Sequence, residues 1–448
     1  MSKTLNIIKF PPSETKAGGF KCKQKMDPRI RQSLRHNLTV NLLDGAFFGF
    51  ALGFASFVTV IPLFVQTMTD SAILIGLIPA IHSMGWQLPQ LLTANRVSQQ
   101  SRFKPMVLWM TLHERLPFLG LTVLAWLLPS ISQQTALVIT YILLVWQGLG
   151  GGFTATAWQS MIGKIIPSTR RGTFYGAQSA VANLLASLGA VMAGLILERL
   201  ASPSDFAMNF LFASVCMLIS WSLLASTREP ENLPVEPALE GYQFWNRLRE
   251  ILREDGNFRW FIIVRMLSQF AVMASAFYTV FAVGQLGLSE ASVGLMTAML
   301  MGTQIAVNPL LGWIGDHWSH RAAMQIGVAA SALSGLVAWW APSANWFYLV
   351  FGLAGVANAS IWTVGLAMVA EFGTESQRPA YIGLANTLIA PATILAPFVG
   401  GWIAESSGYP STFLFSAAAG LATFIVLQRF VRDPRRLSQP SQSTVGLD

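Results

Sequence analysis

Twelve long apolar runs, six on each side of one charged stretch, constrain this chain more than any other feature of its sequence. The charged stretch, 227–259, is the only long polar segment in the interior and carries Arg228, Glu229, Glu231, Arg247, Arg249, Arg253 and Asp255 among its ionisable residues. Runs of roughly 20 apolar residues are long enough to cross a bilayer as helices. In hydrocarbon only a helix or a closed barrel satisfies its own backbone. A barrel requires segments of about ten residues with alternating polarity, and the sequence has none. The chain is 53% hydrophobic and 11% charged, whereas soluble domains carry about 25% charged residues. The expected fold is an all-α membrane protein of twelve transmembrane helices in two six-helix bundles.

Taken in order, the runs are span 1 (39–67), span 2 (73–93), span 3 (from Pro105), span 4 (135–165), span 5 (172–197) and span 6 (207–225). After the connector come span 7 (260–285), span 8 (291–315), span 9 (322–341), span 10 (346–371), span 11 (379–404) and span 12 (411–431). The chain thus divides into a basic arm (1–36), an N-terminal bundle (37–226), a connector (227–259), a C-terminal bundle (260–432) and a tail (433–448).

The net charge of +8 is placed to orient a membrane protein. Basic residues crowd the arm from Lys3 to Arg35, alternate short loops, the connector and the tail (Arg429, Arg432, Arg435, Arg436), leaving Arg115 and Arg265 inside spans and Arg199 on the other side. Such a bias predicts that both termini are cytoplasmic, in an inner (plasma) membrane, and it argues against a nucleic-acid partner. Cys22 and Cys216 lie too far apart to suggest a disulfide, and no metal-ligand spacing is present. No cleavable signal is evident. Residues before about Arg35 have little to bury and are expected to be disordered; Met26 as the true start, with 1–25 an upstream extension, is an open reading.

Within the connector, Pro230, Pro234 and Pro237 predict an extended strap. Beyond it Phe244, Trp245, Leu248, Ile251 and Leu252 share one helical face, with Arg247, Arg249 and Arg253 on the others. This amphipathic helix either lies along the inner membrane surface or packs on the protein's own cytoplasmic face. An internal repeat is also visible. The 28 residues from Arg171 align without gaps on those from Arg378, matching Gly176 to Gly383, Gly194 to Gly401 and Glu198 to Glu405. The two bundles are therefore expected to be parallel, pseudo-symmetric repeats.

Between spans 8 and 9, Gly312-Trp-Ile-Gly-Asp316-His-Trp-Ser-His-Arg321 resembles the loop motif of the major facilitator superfamily, in which three residues separate Gly from Asp and basic residues follow. With twelve spans, inward termini and a six-plus-six repeat, the chain resembles that family over about residues 37–432. The first-half copy of the motif is degraded, with Gln90 and Ala94 or Asn95 where Gly and Asp belong. Leu144 replaces the span 4 Arg of the family, and Ala190 stands where its proton-driven exporters have Pro in span 5; a near-copy, Ala396-Pro397-Phe-Val-Gly400-Gly401, appears in span 11. The resemblance implies a latch: Asp316 on the start of span 5 near Arg171 and Gly172, with Arg321 paired to Glu371, and Arg378 as the repeat partner of Arg171.

Ionisable groups inside spans default to functional hypotheses. Here they are Asp44, Glu114, Arg115 and Arg265, joined by His82. Successive helical residues point about 100° apart, so Glu114 and Arg115 are not expected to pair with each other, and Asp44 is the first expected partner of Arg115. One reading makes Asp44 or Glu114 a proton carrier; the other makes the group a static network. The resemblance places span 3 at the periphery, which favours the static reading. It also places the first helix of each bundle on the cavity, making Asp44 and Arg265 candidates for substrate or ion contact. His82 is either a proton switch or a satisfied core residue. Cavity candidates are Gln147, Trp158, Gln269, Tyr278, Gln304, Asn308, Asn358 and Trp362, polar or amphipathic groups at mid-span. Gly148, Gly150, Gly151 and Gly152 lack the Lys-Ser/Thr of a phosphate loop and read as close helix packing.

No catalytic triad, ATP-binding motif, metal set or cofactor motif is apparent, so the chain is not expected to be an enzyme. The resemblance implies a monomeric secondary active transporter that moves a small, neutral or amphipathic organic molecule through the lipid bilayer by alternating access. It also implies coupling to protons and slightly favours export. The alternative is a non-transporting membrane sensor or scaffold that keeps the fold.

Overall fold

The computed structural model describes residues 28–69, 71–231, 241–287, 290–374 and 376–434. Expectations for the arm before 28, including Cys22 and Met26, for Pro234 and Pro237, and for Arg435 and Arg436 fall outside the described residues. Among those described, every regular element is helical, and nine helices are long and apolar enough to cross a membrane. Twelve spans form two six-helix bundles. Several spans are built from two pieces: span 1 (Pro28–Phe54 and Val60–Gln66), span 2 (Ala72–Gln87 and Gln90–Ser98) and span 7 (Gly256–Val272 and Tyr278–Gly284). Span 10 runs from Trp346–Ala359 through a π-turn, Ser360–Val364, to Gly365–Val369. Pro89 separates the pieces of span 2 because a proline inside a helix lacks the amide the ladder needs.

The helix of span 1 starts at Pro28, earlier than expected, so 28–36 is not a disordered arm. Leu34 and Asn37 are buried there, and Asn37 makes the reason explicit. Its amide donates to Arg228 O at 2.8 Å and accepts from Arg228 N at 2.9 Å, tying the start of the first helix to the residue beyond the last helix of its bundle. The second bundle repeats the device: Asn257 donates to Arg432 O at 3.0 Å and accepts from Arg432 N at 2.7 Å. In each case an acid follows. Glu229 accepts from Phe103 N and Lys104 N at the start of span 3 (Lys104–Leu127), and Asp433 accepts from His320 N at the start of span 9 (His320–Trp340). Arg228-Glu229-Pro230 and Arg432-Asp433-Pro434 are thus one clasp used twice.

Small residues let the spans approach. Gly45, Gly49 and Gly53 of span 1 lie against Gln178, Ala182 and Ala186 of span 5 (Ser168–Arg199). In span 4 (Gln133–Ile165), Gly148 and Gly152 face Gly85 of span 2, while Gly150 rests on the backbone of His113 in span 3. Such stripes permit the backbone contacts on which helix association in lipid depends. The connector helix, Gly241–Glu254, buries Phe244, Leu248 and Ile251 in a core shared with Phe258, Phe261, Leu311, Met324 and Leu427. Its apolar face is covered by the C-terminal bundle, and Tyr242 and Trp245 stay exposed.

Asn37→Ala is expected to cost about 1–3 kcal/mol, the penalty for stranding buried backbone groups. Asn257→Ala, at a more exposed copy of the clasp, costs less. Thermal unfolding of the detergent-purified variants checks the ranking.

Candidate functional site

At the end that bears the Gly312–Arg321 loop, the bundles are locked together. Asp316 accepts from Gly172 N at 2.9 Å and from Thr173 N at 2.6 Å, near the start of span 5. A carboxylate here bonds backbone amides near the positive end of a helix dipole. Span 8 (Glu290–His317) comes this close because both partners are glycine: a Cβ on Gly172 would sit 2.7 Å from Gly312 O.

Arg171 extends the lock. Its guanidinium donates to Glu371 Oε1 at 3.1 Å, to Ala370 O at 3.3 Å, to Ile166 O at 3.0 Å and to Gly163 O. Arg378, its repeat partner, donates to the same Ala370 O at 3.1 Å. The expected pair of Arg321 with Glu371 does not form. Arg321 lies in the first turn of span 9, which packs on span 12 (Tyr409–Phe430), and donates to Gln428 O at 2.8 Å. Glu371 is taken by Arg171 from the opposite bundle.

Deeper between the bundles lies a polar seam. Arg265 of span 7 donates to Asn386 Oδ1 at 3.1 Å, and Asn386 of span 11 (Arg378–Ser407) donates to Gln90 Oε1 of span 2 at 2.7 Å. Thr387 donates to Gln87 O at 3.2 Å. On the other side of the seam, Thr363 of the π-turn donates to Asn308 Oδ1 at 2.6 Å and lies 3.1 Å from Ser179 Oγ. Asn183 donates to Gln304 Oε1 at 3.3 Å, and Trp86 meets Trp362 edge-on at 6.3 Å. Ser179 and Asn386 stand at the same offset as Arg171 and Arg378, so the repeat places one bridging polar residue in each half. That symmetry was the available signal for Ser179 and Asn386, which mid-span polarity alone did not single out; Thr387 and Gln90 carried no such signal.

Above the seam the bundles part. Gly194 and Gly401 lie 18 residues, five full turns, beyond Gly176 and Gly383 and so share their faces. A Cβ on Gly176 would lie 3.1 Å from Pro309 Cα, and one on Gly383 3.1 Å from Leu91 Cα, both in the opposite bundle. At Gly194 nothing lies within 4 Å, and at Gly401 only Phe277 of its own bundle, at 3.9 Å.

The remaining candidates sit inside single bundles. Asp44 is turned into the N-terminal bundle, not toward the seam: it accepts from Ser220 at 2.6 Å and lies 3.4 Å from Arg115 Nη2. Arg115 also reaches Ser220 at 2.9 Å and Thr111, and its Nη1 is 3.6 Å from Glu114 Oε2. The expectation that Glu114 and Arg115 do not pair is thus corrected; the long arginine side chain folds back along its own helix. Glu114 Oε1 would be 2.9 Å from a Cβ on Gly151, where Trp86 would be 3.4 Å away. His82 bonds Gln147 at 3.0 Å and stacks on Phe57. Trp158 meets Tyr175 edge-on at 6.0 Å. Tyr278 belongs to the aromatic core with Phe347, Phe351 and Phe413, 3.0 Å from Ser334 Oγ. With Asn358 it lines a space of about 10 Å³, too small for a substrate, so Tyr278 is not a cavity residue in this arrangement. Gln269 accepts from Thr393 at 3.4 Å between spans 7 and 11.

Several buried polar atoms have no protein partner: both amide atoms of Gln87 and of Gln159, Tyr175 Oη and Arg265 Nε. Asn41 Oδ1, Arg115 Nε and Asn209 Oδ1 are in the same position, and leaving such groups unmet costs about 1–3 kcal/mol each.

Asp316→Asn is expected to change a transport rate about tenfold while leaving substrate affinity nearly unaltered, because it removes charge-assisted bonds outside the seam. Arg171→Ala should act like it, and Arg321→Ala should be milder. Initial rates and equilibrium binding on the same preparations check this order.

The sequence pattern of the Major Facilitator Superfamily matches residues 105–288 and 267–446. Multidrug resistance protein 1 of Bacillus subtilis (strain 168) is 29% identical over 153 residues, which are 34% of this chain and 39% of that protein. Tetracycline resistance protein, class B, of Escherichia coli is 23% identical over 155 residues, 35% of this chain and 38% of that protein. The chain thus matches less than half the length of either relative. Among solved structures, a bacterial homologue of the iron transporter ferroportin in an outward-facing state superposes with a TM-score of 0.71 at 14% identity, over 88% of this chain and 98% of that one. The Escherichia coli fucose:proton symporter gives 0.70 at 14% identity, over 89% and 99%. With the family pattern matched over more than half of its residues and the fold shared with solved transporters, this chain belongs to the Major Facilitator Superfamily.

Proposed function

We propose that the protein is a proton-coupled secondary transporter that exports a small, neutral or amphipathic organic molecule by alternating access. The observation that carries this reading is the asymmetry of the seam. The bundles are latched through Asp316, Arg171 and Glu371 at one end and separated at Gly194 and Gly401 at the other. Rocking the bundles about the seam exchanges which end is open. The bias of basic residues assigns the latched end to the cytoplasm, so this arrangement is the outward-open member of the cycle. The resistance proteins among its relatives support export, and the aromatic pair Trp86–Trp362 supports an apolar or aromatic cargo.

Coupling rests on charge arithmetic in the N-terminal bundle. Asp44 and Glu114 share the single guanidinium of Arg115. The group is neutral with one proton bound and singly negative without it, a difference that matters inside a membrane-embedded bundle. Glu114 is the better carrier, since the missing side chain of Gly151 leaves its carboxylate beside Trp86, which reaches the seam. Asp44, held by Ser220, is the better anchor.

In proteoliposomes with an imposed pH gradient, the protein should move a lipophilic dye or drug against its concentration gradient. Glu114→Gln should abolish the gradient-driven component while retaining substrate binding, and Gly151→Val should mimic it. Gradient-driven transport that survives Glu114→Gln unchanged rejects the coupling assignment. Binding without any flux points instead to a sensor or scaffold.

A further inference from the structure

A cavity of about 600 Å³ lies on the N-terminal bundle alone, away from the seam, where span 1, span 3 and the first residues of the connector meet. Its rim carries Arg29, Arg102, Lys104 and Arg228 against one carboxylate, Glu229. That carboxylate is already committed: it accepts from Phe103 N at 2.9 Å, from Lys104 N at 2.7 Å and from Lys164 Nζ at 3.0 Å. Arg102 is paired with Glu231 at 3.1 Å. Among the described residues, neither the Lys104 ammonium nor the Arg228 guanidinium has a carboxylate within ion-pair distance. Among the described residues, Lys104 and Arg228 therefore leave the cavity cationic.

Its floor is apolar. Pro105 and Leu108 line it one residue and one turn below Lys104, about 6 Å into the span at 1.5 Å per residue. Leu108 O receives Trp221 Nε1 at 3.1 Å, and the next residue, Trp109, is exposed, as an aromatic at a membrane interface would be. A soluble anion needs the basic rim but has no use for an apolar floor at acyl depth.

We propose that this pocket is a headgroup site for an anionic glycerophospholipid, with the phosphate between Lys104 and Arg228 and the glycerol and first methylenes against Pro105 and Leu108. The lipid would bridge span 1, span 3 and the connector at the end that carries most of the chain's basic residues.

The test uses the full chain purified in mild detergent, with phosphatidylglycerol and phosphatidylcholine of equal chain length titrated in and retained lipid read by native mass spectrometry. Wild type should retain phosphatidylglycerol selectively. Lys104→Gln/Arg228→Gln should weaken retention roughly 25-fold, since a basic residue near an anionic surface contributes about fivefold in affinity. The singles should each show about half of that effect on a logarithmic scale, so a double variant that fails to fold still leaves a readout. Arg31→Gln, on span 1 and outside the pocket, should change retention less than twofold or so, as expected for a general surface charge. Equal retention of phosphatidylcholine, or an unchanged affinity in the Lys104 and Arg228 variants, overturns the proposal. Displacement of the lipid by millimolar inorganic phosphate also overturns it, because it makes the pocket a site for a free anion.

Discussion

The bond of Asp316 to the amides of Gly172 and Thr173 is the contact on which the arrangement of the two bundles depends. It is short, charge-assisted and built on backbone, so it needs no side-chain ordering in span 5. It also requires the two helices to touch at Gly172 and Gly312, which brings Arg171 within reach of Glu371 and Ala370. Hydrogen bonds to charged groups are worth about 1.5–3 kcal/mol each. A few such bonds are enough to hold the two bundles against each other at this end.

Polar groups elsewhere in the molecule follow from the cost of burying charge in lipid. Each bundle answers it differently. The N-terminal bundle gathers two carboxylates around Arg115 within spans 1 and 3, whereas the C-terminal bundle sends Arg265 to the seam, where Asn386 and Gln90 receive it. The first arrangement sets two carboxylates on one guanidinium; the second sets one guanidinium against neutral amides. The repeat has thus diverged into an acidic half and a half in which a lone arginine meets amides. The clasp of Asn37 and Asn257, by contrast, is unchanged between them, because it closes each bundle and takes no part in the seam.

Length, composition and charge placement were enough to determine twelve helical spans, the six-plus-six division and the loop motif at Asp316, because backbone satisfaction in lipid allows few alternatives and hydropathy reports it directly. The repeat register, read from Arg171 and Arg378, was legible because glycines at packing contacts tolerate little else. Which way a polar side chain faces was not legible. Tyr278 and Asn308 look alike at mid-span, yet one closes an aromatic core and the other holds Thr363, which reaches Ser179 across the seam. Glu371 was assigned to Arg321 of its own half, and the tertiary fold gave it to Arg171 across the interface. Helical rotation about the axis and the approach of distant spans set those pairings, and a one-dimensional pattern carries neither; only packing in three dimensions decides them.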